Sequence, residues 1–65
     1  MTIVVNGQAH DLATGTLEAL LEALGFGEAV VATALNGRFV RAVERPRVRL
    51  ADGDAVEILA PMQGG

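Results

Sequence analysis

Thr2-Ile3-Val4-Val5-Asn6-Gly7-Gln8-Ala9-His10-Asp11-Leu12 is the stretch that decides how this chain folds. A β-prone run, an Asn-Gly pair and a second short run give the strongest short-range signal for a hairpin. Alternation along the first run puts Ile3 and Val5 on one face and Thr2, Val4 and Asn6 on the other. His10 falls in the second run with no second metal ligand at useful spacing. It reads as an exposed strand residue rather than a ligand or a catalytic base.

Downstream of the hairpin the period changes. Thr16 is a suitable N-cap, because its hydroxyl can accept from an unpaired backbone N–H. Leu17, Leu20, Leu21 and Leu24 then follow the i, i+3, i+4, i+7 spacing of an amphipathic helix. Glu18 lies in the first turn, where the helix dipole favours negative charge. Gly25 can take the left-handed conformation that ends a helix, with Phe26 folding back on the last turn. About two turns cannot stand alone in water, so a sheet must lie under the leucines.

The remainder returns to strands. Val30–Leu35 is a β-prone run closed by Asn36-Gly37, and Arg38–Arg41 completes a second Asn-Gly hairpin. Glu44-Arg45-Pro46 breaks the pattern, and Arg47–Leu50 is a short alternating piece. Asp52-Gly53-Asp54 has the composition of a turn, and Ala55–Leu59 alternates as the last strand. The order is hairpin, helix, then two or three strands. It predicts an α+β fold, with a mixed four- to five-stranded sheet and one helix across one face. With Ile3, Val5, Leu35, Val40, Val56 and Ile58 toward the helix, Val4, Phe39 and Leu59 turn to the open face. Together with Met62 they make an apolar patch beside the chain's end, the kind of surface that marks docking.

The totals narrow the function. Sixty-five residues make one domain, expected as a folded body over 1–60 and a flexible tail over 61–65. A chain that is 51% hydrophobic and free of cysteine must be held by apolar packing alone. No run approaches the roughly 18 apolar residues of a membrane span. The start carries no basic leader, so a soluble cytoplasmic protein is expected. The net charge of −3 argues against bulk attraction to nucleic acid. All the positive side chains, Arg38, Arg41, Arg45, Arg47 and Arg49, fall in one short stretch, which suits a solvated face or a docking rim for an acidic partner. One histidine, no tyrosine and no lysine leave little for catalysis. Asp52 and Asp54 flank a turn glycine, as ordinary turn chemistry does. An independent enzyme is not expected; a substrate or carrier is.

The pattern as a whole resembles a known family, the small sulfur carriers of the ThiS/MoaD type with a ubiquitin-like β-grasp fold. The residues that carry the resemblance are Ile3-x-Val5-Asn6-Gly7, Gly15-Thr16-Leu17 with Leu20-Leu21, and Leu35-Asn36-Gly37-x-x-Val40. Asp52-Gly53-Asp54-x-Val56-Glu57-Ile58 and a terminal Gly64-Gly65 complete the set. Arg41-Ala42-Val43-Glu44-Arg45-Pro46 departs from the family, where proline and an aromatic are common.

The resemblance implies a mechanism. An E1-like adenylyltransferase uses ATP to adenylate the C-terminal carboxylate of Gly65. A sulfur donor such as a cysteine desulfurase then converts it to a thiocarboxylate, and a thiazole synthase takes the sulfur for thiamine biosynthesis. Met62, Gln63 and Gly64 would form the tail that enters the partner, Gly64 because a Cβ would obstruct a narrow channel. Val4, Phe39 and Leu59 would dock the body. The resemblance implies no bound cofactor or metal, no nucleic-acid or membrane partner, and a monomer when alone. Molybdopterin-pathway carriers share the tail and fold but are usually longer. A covalent protein modifier and a β-grasp binding module remain rival readings.

Overall fold

The structure, a computed structural model, describes residues 1–13 and 15–60. Thr14 and residues 61–65, where the sequence leads one to expect a tail of Met62, Gln63, Gly64 and Gly65, lie outside the described residues. The elements run β1 (Thr2–Val5), β2 (Gln8–Asp11), α1 (Leu17–Ala23), β3 (Ala32–Leu35), β4 (Arg38–Val40), a 3-10 helix (Ala42–Arg47) and β5 (Ala55–Leu59). The five strands form one sheet in the order β2-β1-β5-β3-β4. The last strand is therefore inserted at the centre, parallel to β1 and antiparallel to β3. With one helix across one face, this is the β-grasp arrangement that the resemblance implied.

Both hairpins form at their Asn-Gly pairs. Asn6 and Asn36 each have φ +50°, and Gly7 and Gly37 each have φ +84°. Two successive positive φ angles make the type I′ turn whose twist matches paired strands. β1 and β2 pair from Thr2↔Asp11 to Val5↔Gln8, and β3 and β4 from Thr33↔Val40 to Leu35↔Arg38. His10 stands opposite the fully buried Ile3, so it lies on the helix side of the edge strand and is half-buried. Register, not the composition of the run, decides that, and it corrects the reading of His10 as exposed.

The helix starts and stops by local chemistry. The Thr16 hydroxyl accepts from the Ala19 N–H at 3.1 Å, the N-cap contact expected. At the other end the Phe26 N–H reaches the Leu21 carbonyl at 2.7 Å and the Gly25 N–H the Glu22 carbonyl at 3.1 Å. Those two bonds, with Gly25 at φ +89°, make a Schellman cap. Leu17, Leu20 and Leu21 are buried against Ile3 and Val5 of β1, Val40 of β4, and Val56 and Ile58 of β5. Burying each leucine stabilises the fold by about 2 kcal/mol, which is what holds so short a helix in place.

Three stretches differ from expectation. The run from Val30 pairs only from Ala32, because Ala32 stands opposite Leu59, the last residue of β5. Val30 is accordingly 80% exposed. The pattern break at Glu44-Arg45-Pro46 is a 3-10 helix, nucleated by reciprocal bonds: the Arg41 N–H donates to Glu44 Oε1 at 3.0 Å, and the Glu44 N–H to the Arg41 carbonyl at 2.9 Å. Arg47–Leu50 is not a strand. It makes one bridge, with the Leu17 N–H on the Val48 carbonyl and the Leu50 N–H on the Gly15 carbonyl, each at 2.9 Å. That bridge ties the helix start to the loop and buries Leu50 in the core.

Polar side chains then fix the central strand. The Asn6 carboxamide donates to the Ile58 carbonyl at 3.1 Å and accepts the Ile58 N–H at 2.8 Å. Asn36 accepts the Ala55 N–H at 2.9 Å and donates to the Asp54 carboxylate at 3.1 Å. Asp54 also accepts the Ala51 N–H at 2.8 Å, while Asp52 accepts the Thr2 N–H at 2.7 Å. Chiefly the Ala51 N–H and then the Asn36 carboxamide hold the Asp54 carboxyl below its ordinary 3.8, against a weaker opposing effect of burial. The Asp-Gly-Asp turn is thus structural, as its composition suggests.

Candidate functional site

The end of β5 is the last element before residues 61–65, and it is held on both sides. The Asn6 carboxamide grips Ile58 from the β1 side, and Leu59 pairs with Ala32 of β3. Main-chain geometry is therefore fixed to within one residue of Ala60, the last described position. Beside that point lies an apolar groove of about 310 Å³ lined by Val30, Val31, Ala32, Leu59 and Ala60. It exists because β3 and β5 run out together and leave Val30 and Val31 beyond the ladder.

The open face behaves as alternation requires. Val56 and Ile58 are buried under the helix, which turns Ala55, Glu57 and Leu59 outward. Ala34 stands between Phe39 and Glu57 in the ladder, and Val4 stands opposite Ala55. Phe39 is 71% exposed and Leu59 67%, whereas Val4 is half-buried. All three residues share the face away from the helix. The register nevertheless divides them, because Glu57 lies between the row of Val4 and the row of Leu59. Phe39 with Leu59 forms one apolar part, and Val4 stands across a carboxylate from it.

Among the described residues no three His, Cys, Asp or Glu side chains come together as a metal site. No helix is long and apolar enough to cross a membrane. Among the described residues the one ion pair joins the Met1 amino group to Asp11 at 3.7 Å, and the carboxylates of Asp52 and Asp54 serve a turn. What the described surface offers is a partly apolar platform where β5 ends.

Sequence reasoning missed one use of the arginines. Arg45 points inward, donating from Nε to the Thr33 hydroxyl at 3.0 Å and from Nη2 to the Val31 carbonyl at 2.6 Å. The buried Thr33 hydroxyl in turn donates a hydrogen bond to the Val40 carbonyl at 2.9 Å. This chain of bonds satisfies the carbonyl of Val31, which lies outside the ladder of β3 with β5 among the described residues, and pins the 3-10 helix to β3. A threonine inside a β-prone run was the only signal available for it.

Comparison with known proteins places the chain. The model of the ThiS family matches residues 3–65. A sulfur carrier protein ThiS from Thermus thermophilus is 41% identical over 61 residues, covering 94% of this chain and 95% of that protein. The crystal structure of a thiamine biosynthesis protein, ThiS, from Geobacter metallireducens matches with a TM-score of 0.81 at 35% identity, covering all of both chains. A solution structure of a thiamine biosynthesis protein from the same organism matches with a TM-score of 0.79 at 32% identity, covering all of this chain and 88% of that one.

Proposed function

The chain belongs to the ThiS family, and from that premise we propose that it is a sulfur carrier of thiamine biosynthesis, acting through the terminal carboxylate of Gly65. The observation that carries the reading is the family match itself, which spans the body and runs through residue 65. The fold supports it, since β5 is fixed up to the point where the tail leaves. A carboxylate is a poor electrophile until one oxygen becomes a good leaving group. An adenylating partner supplies that: the carboxylate attacks the α-phosphate of ATP, pyrophosphate departs, and an acyl adenylate forms. A persulfide donor then attacks the acyl carbon and displaces AMP, and a thiol cleaves the resulting acyl disulfide, leaving as a disulfide and releasing a thiocarboxylate, which a thiazole synthase consumes. The carrier is a co-substrate in these steps, and the catalytic groups belong to its partners. ATP-dependent activation puts the reaction in the cytoplasm.

Gly64 and Gly65, with no Cβ, allow a close-walled passage to the reacting atom, and Met62 and Gln63 span from the body to it. Phe39 and Leu59 dock the body, with Val4 at the margin beyond Glu57. Intact mass spectrometry of the protein made together with its activating enzyme tests the chemistry. Exchange of one oxygen for sulfur, localised to Gly65, is expected, and its persistent absence under sulfur-replete conditions overturns the reading. For docking, Phe39→Asp is expected to leave the urea midpoint unchanged and to abolish measurable adenylation. Unaltered adenylation kinetics would remove Phe39 from the interface.

A further inference from the structure

The arginine stretch makes a second surface that the tail and the open face do not explain. Arg45 is taken up by Thr33 and Val31. Among the described residues Arg38, Arg41, Arg47 and Arg49 make no ion pair, although the chain carries eight carboxylate side chains. The one carboxylate in their midst, Glu44, is engaged by the Arg41 N–H. In a 3-10 helix every third side chain falls in line. Arg41, Glu44 and Arg47 therefore form one row, the half-buried Arg45 and Val48 an inward one, and Val43 and Pro46 an outer one.

Glu44 faces a groove of about 240 Å³ between the 3-10 helix and the edge strand β4. Its floor is Leu35, Val40 and Val48, its wall Phe39, and its rim Arg38 and Glu44. Small-molecule sites usually exceed about 300 Å³. This one suits a single apolar side chain, with Arg38 and Glu44 on its rim, Arg41 and Arg47 three residues to either side of Glu44, and Val43, 69% exposed, on the outer flank. An apolar cleft with arginine on its rim and beside it suits a protein partner, since arginine is enriched at binding hot spots. A nucleic acid fits less well: the chain is net negative and the groove floor is aliphatic.

We infer that the corner between β4 and the 3-10 helix docks a protein segment in which an apolar side chain is flanked by carboxylates, and that this segment belongs to the activating enzyme. The inference rests on the carrier reading, and Phe39 joins the two surfaces by facing both the open sheet and the groove. The charges here steer and orient the encounter, while the reacting carboxylate lies elsewhere. Neutralising them should slow association and leave the chemical step alone.

The test is direct binding of the full chain to the purified activating enzyme from the same genome, at ionic strengths on either side of about 0.15 M. The triple variant R38Q/R41Q/R47Q is compared with wild type, after confirming an unchanged urea midpoint. At low salt the variant should bind at least about tenfold more weakly, lose less affinity as salt rises, and keep the same kcat for adenylation at saturation. Equal affinity and an equal salt slope would overturn the proposal. So would failure of the wild type to bind the enzyme, or tighter binding of an oligouridylate than of the enzyme. If the enzyme binds wild type with the expected salt dependence yet never adenylates it, the carrier reading fails and the surface stands.

Discussion

The two Asn-Gly turns share one backbone and differ in what their side chains hold. Asn6 and Asn36 have the same φ of +50°, each followed by a glycine at +84°. Each carboxamide reaches across to the central strand β5, at opposite ends. Asn36 works at the entry, on the Ala55 N–H and the Asp54 carboxylate. Asn6 works at the exit, where it bonds both the N–H and the carbonyl of Ile58 and so stands in for one more residue of β1. The entry clamp thus contains a titratable, solvent-facing partner and the exit clamp contains only main chain. A turn dipeptide chosen for its φ angles has acquired two tertiary roles, and only one of them depends on pH.

The exit clamp should matter most. Asn6→Gly keeps the left-handed backbone at little steric cost and removes both bonds to Ile58. At about 1 kcal/mol for each net hydrogen bond, the loss should be about 2 kcal/mol, read as a lower urea midpoint with an unchanged m-value. Exchange of the Ile58 amide should accelerate beyond that of Val56. Asn6→Asp sharpens the point: it can still accept from the Ile58 N–H but places a carboxylate against the Ile58 carbonyl, so it should recover little. A fully stable Asn6→Gly protein would show that the ladder with β3 alone fixes the exit.

The entry clamp should matter less. Asn36→Gly again preserves the backbone. It frees Ala55 and Asp54 at a more exposed place, where water replaces part of what is lost. About 1 kcal/mol is expected at neutral pH, with amide exchange altered at Ala55 and not at Ile58. An effect equal to that of Asn6→Gly would erase the distinction drawn between the two ends.

That asymmetry marks the limit of what the sequence discloses. The hairpins, the N-cap at Thr16, the Gly25 stop and the leucine stripe are all local, encoded within a few residues of where they act. They suffice to call a sheet under one helix. The open face follows too, since period-2 alternation assigns Phe39 and Leu59 once Val40 and Ile58 are inside. What stays hidden depends on contacts between distant segments. Nothing near Asn6 announces that Ile58 lies within its reach. Arg45 reads as one more surface arginine until its bonds to the Thr33 hydroxyl and the Val31 carbonyl are seen. Pro46 reads as a break because the tight reciprocal bonding of Arg41 and Glu44 has no strong signature in residue type. Leu50 belongs to the core only because the helix start bonds to the loop beside it. As for the candidate site, its platform is legible from alternation, whereas the insertion of Glu57 between Val4 and Leu59 needs the strand register.

The finest separation of the two clamps is by acid. Asp54's carboxyl is held below its ordinary 3.8 in the folded chain by the Ala51 N–H and the Asn36 carboxamide. A group whose folded value is depressed adds stability above its unfolded value, and that stability is lost as pH falls through the folded one. The contribution of Asp54 should therefore be whole at neutral pH and decline only below about 4. The Asn6 clamp has no titrating member, so Asn6→Gly should run parallel to wild type across the same range. Asp54→Asn should instead lie below wild type at pH 7 and converge on it as the pH falls through Asp54's lowered value, as urea midpoints measured at intervals of half a pH unit will show. Asn36→Gly should converge only in part, since the Ala51 N–H still holds the carboxylate. If Asp54→Asn kept a constant gap from wild type down to acid, the hydrogen bonds at the entry would be no stronger to the ionised carboxyl than to the neutral one, and the two ends of β5 would be alike after all.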